Sequence, residues 1–342
     1  MLILAIETSC DETACAVIKD GTTIISNIVA SSHLMHEKYG GIVPEVAARK
    51  QLEYILPTLT EALLGAKIKL SDIDAIAVTI GPGLIGSLLV GVETAKSIAL
   101  ITKKPIIPVN HVLAHMYANF IAHEHITFPA VSLVVSGGHT ELYSMKNEKD
   151  LLWLGGTIDD AAGEAFDKSG RLMGFGNGGG PAIQEAASHA TPHQIQQMVH
   201  LPRPMLDKDT NYLNFSFSGL KTAIWREWNK LEHPNEDTKN AFAYEVQETI
   251  CDILVKKTMR AIEQQQASSL LLSGGVAANI RLREKLHDAL ANHHINFPLF
   301  APPIALCTDN AAYIGCYAYF RGTQTPWENI TAIPDLEVEV NS

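Results

Sequence analysis

Residues 130–145 read AVSLVVSGGHTELYSM. Ala130–Val135 is a mainly apolar run with three valines, broken only by Ser132, Ser136-Gly137-Gly138-His139 is a turn, and Thr140–Met145 is a second strand. A third strand is expected at Leu151–Thr157, then a helix capped by Asp159 and closed near Gly174. The chain's beginning shows the same order. Strand Leu2–Ile6, the polar turn Glu7–Thr13, strand Ala14–Lys19, an Asp20-Gly21 hairpin turn and strand Thr22–Ala30 make a meander. Helix Pro44–Leu64, strand Ile73–Ile80, a helix, strand Pro105–Val109 and a helix from His111 follow, giving βββαβαβα. After the second meander come helix Ala241–Gln264, strand Ser269–Leu272, a helix from Ala277, strand Ile295–Pro298 and helix Asp309–Arg321. We read this as an internal duplication.

Two copies of a meander followed by αβαβα describe an α/β chain of the duplicated actin, Hsp70 and sugar-kinase (ribonuclease H-like) architecture. Two lobes are expected, 1–128 and 129–342, with a nucleotide cleft between them. A mainly helical insertion at about 175–239 would form a small lobe or an extended loop. The chain's 342 residues suffice for two cores. With 46% hydrophobic and 18% charged residues it is not a disordered polymer. Acids outnumber bases 37 to 26, so the overall field repels nucleic acid and any RNA contact must be local or assisted. Cys10, Cys15, Cys251, Cys307 and Cys316 include no CxxC pair, which argues against a disulfide framework or zinc ribbon and for a reducing compartment. No basic segment precedes Glu7, so a signal peptide is not expected and the cytoplasm is. The uncharged stretch Ala75–Val92 approaches membrane-span length, but Gly81-Pro82-Gly83 interrupts it. Strand, turn and a helix with Leu88, Val92, Ala95 and Ala99 on one face explain it better, so no membrane association is expected.

His111 and His115 stand four apart where a helix begins after a strand, a spacing that puts both imidazoles on one face. This suits a metal ion; two partly exposed helix histidines are the alternative. A third ligand would come from elsewhere, and Asp309 is one candidate, with helix N-cap as its other role. The turns Gly81-Pro82-Gly83, Ser136-Gly137-Gly138 and Ser273-Gly274-Gly275 each follow a strand and could present backbone N–H groups to an anion. Asn279 could bond a ribose or base edge, or lie on ordinary helix surface. Asp160, Glu164 and Asp167 line one face of a helix, either solvated or near a ligand. The turn Glu7–Thr13 adds acids and hydroxyls fit for phosphate or metal. Arg203, Lys221 and Arg226, interleaved with Phe215, Phe217, Trp225 and Trp228, suit an RNA or partner surface; an aromatic core with solvated bases is the alternative.

Glu7-Thr8-Ser9-Cys10-Asp11-Glu12-Thr13, Val43-Pro44-Glu45, Gly81-Pro82-Gly83-Leu84, the histidine pair, Ser136-Gly137-Gly138-His139-Thr140, Asp159–Lys168, Phe215–Thr222, Gly274–Asn279 and Cys307–Ala311 together resemble the universal tRNA threonylcarbamoyl-transfer family, bacterial TsaD type. The resemblance spans nearly the whole chain and is most specific in DDAAGEAFDK and FSFSGLKT. It implies an acyltransferase that moves threonylcarbamoyl from threonylcarbamoyl-AMP to the 6-amino group of adenosine 37 in tRNAs reading codons that begin with A. It also implies one divalent ion, Fe2+ or Zn2+, on His111, His115 and Asp309. The adenylate would lie against Val134, Val135, Ser136, Gly137 and Gly138, with Asp167, Gly180 and Asn279 completing the site, and ATP or ADP could occupy the same cleft. The implied partners are tRNA, a fold-related scaffold subunit (TsaB type) and a small ATPase (TsaE type). This chain departs from the family's usual residues at Leu113 (Glu), Asn177-Gly178 (Tyr-Pro), Gln184 (Asp) and Gln51 (His). Three rivals compete: an inactive scaffold paralogue, a metalloprotease, and a sugar kinase or O-carbamoyltransferase of the same fold. Retention of the metal residues opposes the first, and His111-Val112-Leu113-Ala114-His115 lacks the glutamate of an HExxH peptidase.

Overall fold

A computed structural model describes residues 1–36, 39, 41–176, 178–206 and 212–337. Unit 1 comprises Met1–Ile126, Glu148–Asp150 and Pro302–Ser342, and unit 2 comprises Thr127–Asn147 and Leu151–Ala301.

In unit 1, strands β1 (Leu2–Glu7), β2 (Glu12–Lys19), β3 (Thr23–Ser31), β4 (Ala75–Gly81) and β5 (Ile106–Asn110) form one sheet in the order β3-β2-β1-β4-β5. β1 is antiparallel to β2 and parallel to β4, and β4 is parallel to β5. The helices are α1 (His33–His36), α2 (Pro44–Ala66), α3 (Ile85–Thr102), α4 (His111–Ala114) and α5 (Ala118–Ala122). α2 opens with Pro44 and Glu45, where a missing N–H costs nothing and an acid suits the helix dipole. Its buried residues Ala47, Gln51, Ile55, Thr58, Leu59 and Ala62 follow helical spacing and face the sheet. Among the described residues α3 alone is long and apolar enough to cross a membrane. The run 75–92 is nevertheless divided, as read, between β4 and α3; Leu88 is buried, and Val92, Ala95 and Ala99 belong to the unit's own core.

Unit 2 contains β6 (Ala130–Val135), β7 (Thr140–Met145), β8 (Leu151–Gly156), α6 (Ala162–Leu172), α7 (Gly179–Ser188), α8 (Pro192–Gln196), α9 (Ser218–Trp228), α10 (Glu236–Gln265), β9 (Ser269–Ser273), α11 (Ile280–Asn292) and β10 (Leu299–Phe300). Its sheet order, β10-β9-β6-β7-β8, repeats that of unit 1, with β6 antiparallel to β7 and parallel to β9. The duplication read from the sequence is therefore present in the backbone.

Two expectations about the course of the chain need correction. The chain from Pro302 does not stay with residues 129–301: the last helix, α12 (Ala312–Phe320), belongs to unit 1. Gly315 explains why, because a Cβ there would stand 2.6 Å from Ile18 Cγ1 and 3.3 Å from the Ala5 Cβ, so only glycine lets the helix lie this close to β1 and β2. The strand expected at Ile295–Pro298 is the two-residue β10 instead; proline has no N–H to give a ladder, and only its carbonyl pairs, with Leu270 N at 3.2 Å. The insertion 175–239 lies within unit 2, where Gly170 and Gly179 let α6 and α7 meet so closely that a Cβ on Gly170 would be 2.6 Å from Gly179 Cα.

The two most specific motifs interlock. Asp159, expected to cap α6, caps α9 instead: its carboxylate accepts from Phe217 N at 2.8 Å, Ser218 N at 3.3 Å and Ser216 Oγ at 2.5 Å. α6 is closed by Thr140 Oγ1, which accepts from Ala162 N, and by Glu164, which accepts from Ala161 N. Asp160 lies before α6 and takes Lys168 Nζ at 2.7 Å and Lys221 Nζ at 2.6 Å. Burial opposes its ionisation, but these two ammonium groups outweigh burial and hold the carboxyl below its ordinary range. A depressed carboxyl contributes stability above its unfolded pKa and loses it as pH falls through the folded value. Asp159→Ala is therefore expected to cost about 1–2 kcal/mol in a denaturant titration at neutral pH. Asp160→Asn should flatten the acid limb of stability against pH below about pH 4. Wild-type curves for both variants would show that the interlock is without consequence.

These contacts also decide the aromatic segment. Phe215 and Phe217 are fully buried with rings 6.3 Å apart, and Trp228 packs edge-on against Phe242. Arg203 is held by Glu245 and Asp252, Lys221 by Asp160, and Arg226 by its neighbour Glu227. Phe215, Phe217 and Trp228 thus belong to an aromatic core, while Trp225 and Arg226 stay exposed.

Candidate functional site

β1, β4 and β5 are parallel, and their carboxyl ends bring Glu7, Thr79 and Asn110 to one edge of the sheet, the usual place for a site in such sheets. Asn110 caps α4, its Oδ1 accepting from Val112 N at 3.0 Å and Leu113 N at 3.2 Å. α4 lasts one turn and tightens at His115–Tyr117, so the helix expected from His111 is short, but the two imidazoles still share a face. Their ring centroids are 4.7 Å apart, and both residues are buried.

Asp309 completes the group. Its Oδ1 lies 3.8 Å from His111 Nε2 and 3.5 Å from His115 Nε2. One ligand atom from each of the three residues falls within a 4.8 Å span. Asp309 is not the N-cap of α12, because the neighbouring Asn310 Oδ1 accepts from Ala312 N at 2.9 Å. The carboxylate is instead steadied by Tyr313, whose hydroxyl donates to Oδ1 at 3.3 Å. Sequence reasoning missed Tyr313, although its place one helical turn after Asp309 was the available signal.

The electrostatics favour a cation. Burial lowers the His111 pKa, yet the carboxylates of Glu7 and Asp309 overcome it and bring it to about 9. Asp309 is raised by burial and by Glu7 and Asp11 against the pull of His111. Glu12 is pushed up to about 10 by burial, Asp309 and Asp11. Glu7, Asp11, Glu12 and Asp309 thus crowd four acids into a desolvated corner, where a divalent ion would favour their ionised forms. Two imidazoles and a carboxylate are donors that suit iron(II) or zinc.

The turn Glu7–Thr13 is held from outside. Gln51 Nε2 donates to Cys10 O at 2.9 Å and Glu12 O at 3.1 Å, with Thr8 O at 3.4 Å, and Ser87 Oγ donates to Cys10 O. Gln51, one of the departures, is therefore a clamp on this turn. Leu113 is buried within α4.

Unit 2 gathers most of the other expected residues. Val134 and Val135 end β6, and the turn after them closes through Ser136 N donating to His139 O and His139 N donating to Ser136 Oγ. Gly163 meets this turn so tightly that its Cβ would lie 2.4 Å from Ser136 O, and Gly137 O accepts from Glu164 N. Gly179 sits on Asp167, where a Cβ would be 2.5 Å from Asp167 Cα, which brings Gly180 beside it. Gly274, at φ +89, packs on the Val135 carbonyl. Among the described residues nothing stands within 4 Å of the Cβ positions of Gly137, Gly138, Gly178 and Gly275. The result is an open, glycine-lined cradle at the carboxyl ends of β6 and β9. Asn279 is nearby but committed: Oδ1 caps α11 at Leu282 N and Nδ2 donates to Gln247. Gln184 accepts from Ile280 N at 2.7 Å, Gly178 opens α7 in the left-handed region, and Asn177 lies outside the described residues. The carboxylate row 160/164/167 does not form one face, since Asp160 precedes α6 and is paired. The turn Gly81–Gly83 is filled rather than open, with Gly83 against Ser9 and Gly81 against Ile333.

Residues 23–316 match the family TsaD, tRNA N6-adenosine threonylcarbamoyltransferase. The chain belongs to this family. A threonylcarbamoyltransferase of that name from Moorella thermoacetica is 46% identical over 337 residues, covering 98% of this chain and 96% of the relative. One from Syntrophomonas wolfei is 48% identical over 320 residues, covering 94% and 92%. TsaD membership makes this chain a tRNA-modifying transferase. Solved structures of low identity share the fold. Full-length HypF aligns with TM-score 0.60 at 13% identity, over 93% of this chain and 46% of its own. Component A of (R)-2-hydroxyglutaryl-CoA dehydratase from Acidaminococcus fermentans aligns with TM-score 0.55 at 13% identity, over 93% and 98%. The duplicated, actin-like α/β class read from the element order stands on these matches and on the paired sheets.

Proposed function

We propose that this cytoplasmic enzyme transfers threonylcarbamoyl from threonylcarbamoyl-AMP to the 6-amino group of adenosine 37 in tRNAs that read codons beginning with A. The observation that carries the reading is the convergence of His111, His115 and Asp309. These residues would hold one divalent ion, iron(II) by preference and zinc as the alternative. When bound, that ion would polarise the carbamoyl carbonyl and stabilise charge developing on its oxygen. Ser136, Gly137 and Gly138 offer backbone amides and open space for the adenylate, with Val134 and Val135 behind them; Asp167, Gly180 and Asn279 complete the cradle. ATP or ADP would fit the same place. The scaffold-paralogue rival has no use for three converged ligands, and the peptidase rival lacks its base.

Mass spectrometry of tRNA nucleosides from a depletion strain tests the reading. Loss of threonylcarbamoyladenosine supports it, and an unchanged nucleoside profile overturns it. Because acids exceed bases and Arg203 and Lys221 are bound to internal acids, tRNA must be engaged with help. The help proposed is a fold-related scaffold subunit of TsaB type and a small ATPase of TsaE type. The purified chain alone, supplied with adenylate and tRNA, is expected to turn over slowly and to gain activity when both partners are added. Full turnover by the single chain would remove that requirement.

A further inference from the structure

Glu7 is the last residue of β1 and is almost wholly buried, and the proposed transfer makes no use of it. Its Oε2 lies 3.1 Å from His111 Nδ1 and accepts from Thr79 Oγ1 at 2.5 Å. Its Oε1 accepts from Ser9 N at 2.6 Å. The carboxylate is therefore fixed on three sides, by a residue of β4, by the turn that follows β1 and by the imidazole at the start of α4. On the imidazole, Nδ1 faces Glu7, with Ser9 Oγ at 3.3 Å as its other neighbour, while Nε2 faces Asp309. The two ring nitrogens have separate surroundings, and only Nε2 points where His115 Nε2 also converges.

We propose that Glu7 is a positioning residue of the metal centre. Its carboxylate accepts the Nδ1 proton of His111, which sets the tautomer, stops the ring from turning over and leaves the Nε2 lone pair as the donor. A carboxylate behind a ligating imidazole also makes that imidazole more basic, and loss of such a partner typically weakens metal affinity about 10- to 100-fold. Glutamate rather than aspartate is needed because the strand end stands a full side chain away from the ring. Oε2 must reach Nδ1 while Oε1 remains on Ser9 N, and one fewer methylene would surrender one of the two.

The proposal rests on the metal reading above, and the experiment separates them. Cobalt(II) binding to the full-length chain is followed by chelator competition and by the visible ligand-field spectrum, in wild type, Glu7→Gln and Glu7→Ala, with thermal unfolding of each metal-free protein in parallel. The expected result is one equivalent in wild type, about 10- to 100-fold weaker binding in Glu7→Gln with an altered spectrum, and weaker binding still in Glu7→Ala. Glutamine can still accept from Nδ1, so a partial rescue relative to alanine marks a positioning role; a purely structural glutamate would lower the unfolding temperature and leave affinity and spectrum alone. Wild-type affinity and spectrum in Glu7→Gln would overturn the proposal while leaving the metal reading in place. No uptake by wild type would overturn both. Should Glu7→Gln not fold, Thr79→Val replaces it: freeing Oε2 is expected to weaken cobalt binding severalfold, and unchanged binding there overturns the proposal.

Discussion

Asp309→Asn is expected to lose stoichiometric metal and to lower threonylcarbamoyl transfer at least about 100-fold, equivalent to roughly 2.7 kcal/mol of transition-state stabilisation. The substitution preserves shape, and asparagine can still accept from the Tyr313 hydroxyl. Helix α12 keeps its cap, which Asn310 supplies. What disappears is the one anionic ligand among the three converged residues. Stability of the metal-free protein should move the other way. Burial and the neighbouring acids Glu7 and Asp11 raise the Asp309 carboxyl, and a carboxyl raised on folding subtracts stability at pH values above its unfolded pKa. The metal-stripped variant is therefore expected to unfold at or above the wild-type temperature at neutral pH. Metal analysis, a transfer assay and thermal unfolding of the stripped proteins check all three parts. Normal metal content with full activity would remove Asp309 from the centre.

The second large effect is expected in the cradle, where two kinds of glycine should behave in opposite ways. At Gly163 a Cβ would press on Ser136 O at 2.4 Å and Gly137 Cα at 2.7 Å, both backbone atoms that cannot swing aside. Gly163→Ala must push α6 away from the turn, at a cost of about 1–3 kcal/mol and with loss of nucleotide binding. At Gly138 the Cβ position is open, and its φ lies outside the left-handed region. Gly138→Ala should therefore fold normally, with stability unchanged or raised by up to about 1 kcal/mol through a stiffer unfolded chain. It should still weaken binding of ADP or a stable adenylate about tenfold or more, because the methyl group occupies the space the ligand needs. Denaturant titration and calorimetric binding separate the two variants. Wild-type nucleotide affinity in Gly138→Ala would take this turn out of the binding site.

The strands and long helices were legible in the sequence because they rest on local periodicity. β6 and β7 stand at their expected residues, Ala130–Val135 and Thr140–Met145, and α3 shows its apolar face at the expected spacing. The duplication followed from the order of those elements. The His111/His115 pair was legible for the same reason, since four residues on a helix face are neighbours whatever lies around them. What local pattern does not contain is which distant groups meet.

Asp159 and Asp160 show the difference most clearly. By sequence they begin a helix; in the fold they cap α9 and bind Lys221, across 58 to 61 residues of chain. Phe215 and Phe217, read as candidates for an open surface, are buried because their segment returns to pair with the end of β8 through Thr157. Asp309, read as one candidate among the chain's acids, reaches the histidines because Gly315 admits α12 onto β1 and β2. Glu7 and His111 are 104 residues apart, and no spacing rule connects them. The sequence by itself therefore determined the elements, their repetition and the residue types able to bind an ion and a phosphate. Only the tertiary structure decided which acid joins the histidines, which acids are spent on lysines and helix caps, and which glycines are filled or open. Those choices depend on close packing and burial between segments far apart in the chain, where a single methyl group or an unpaired charge costs more than any local preference can supply.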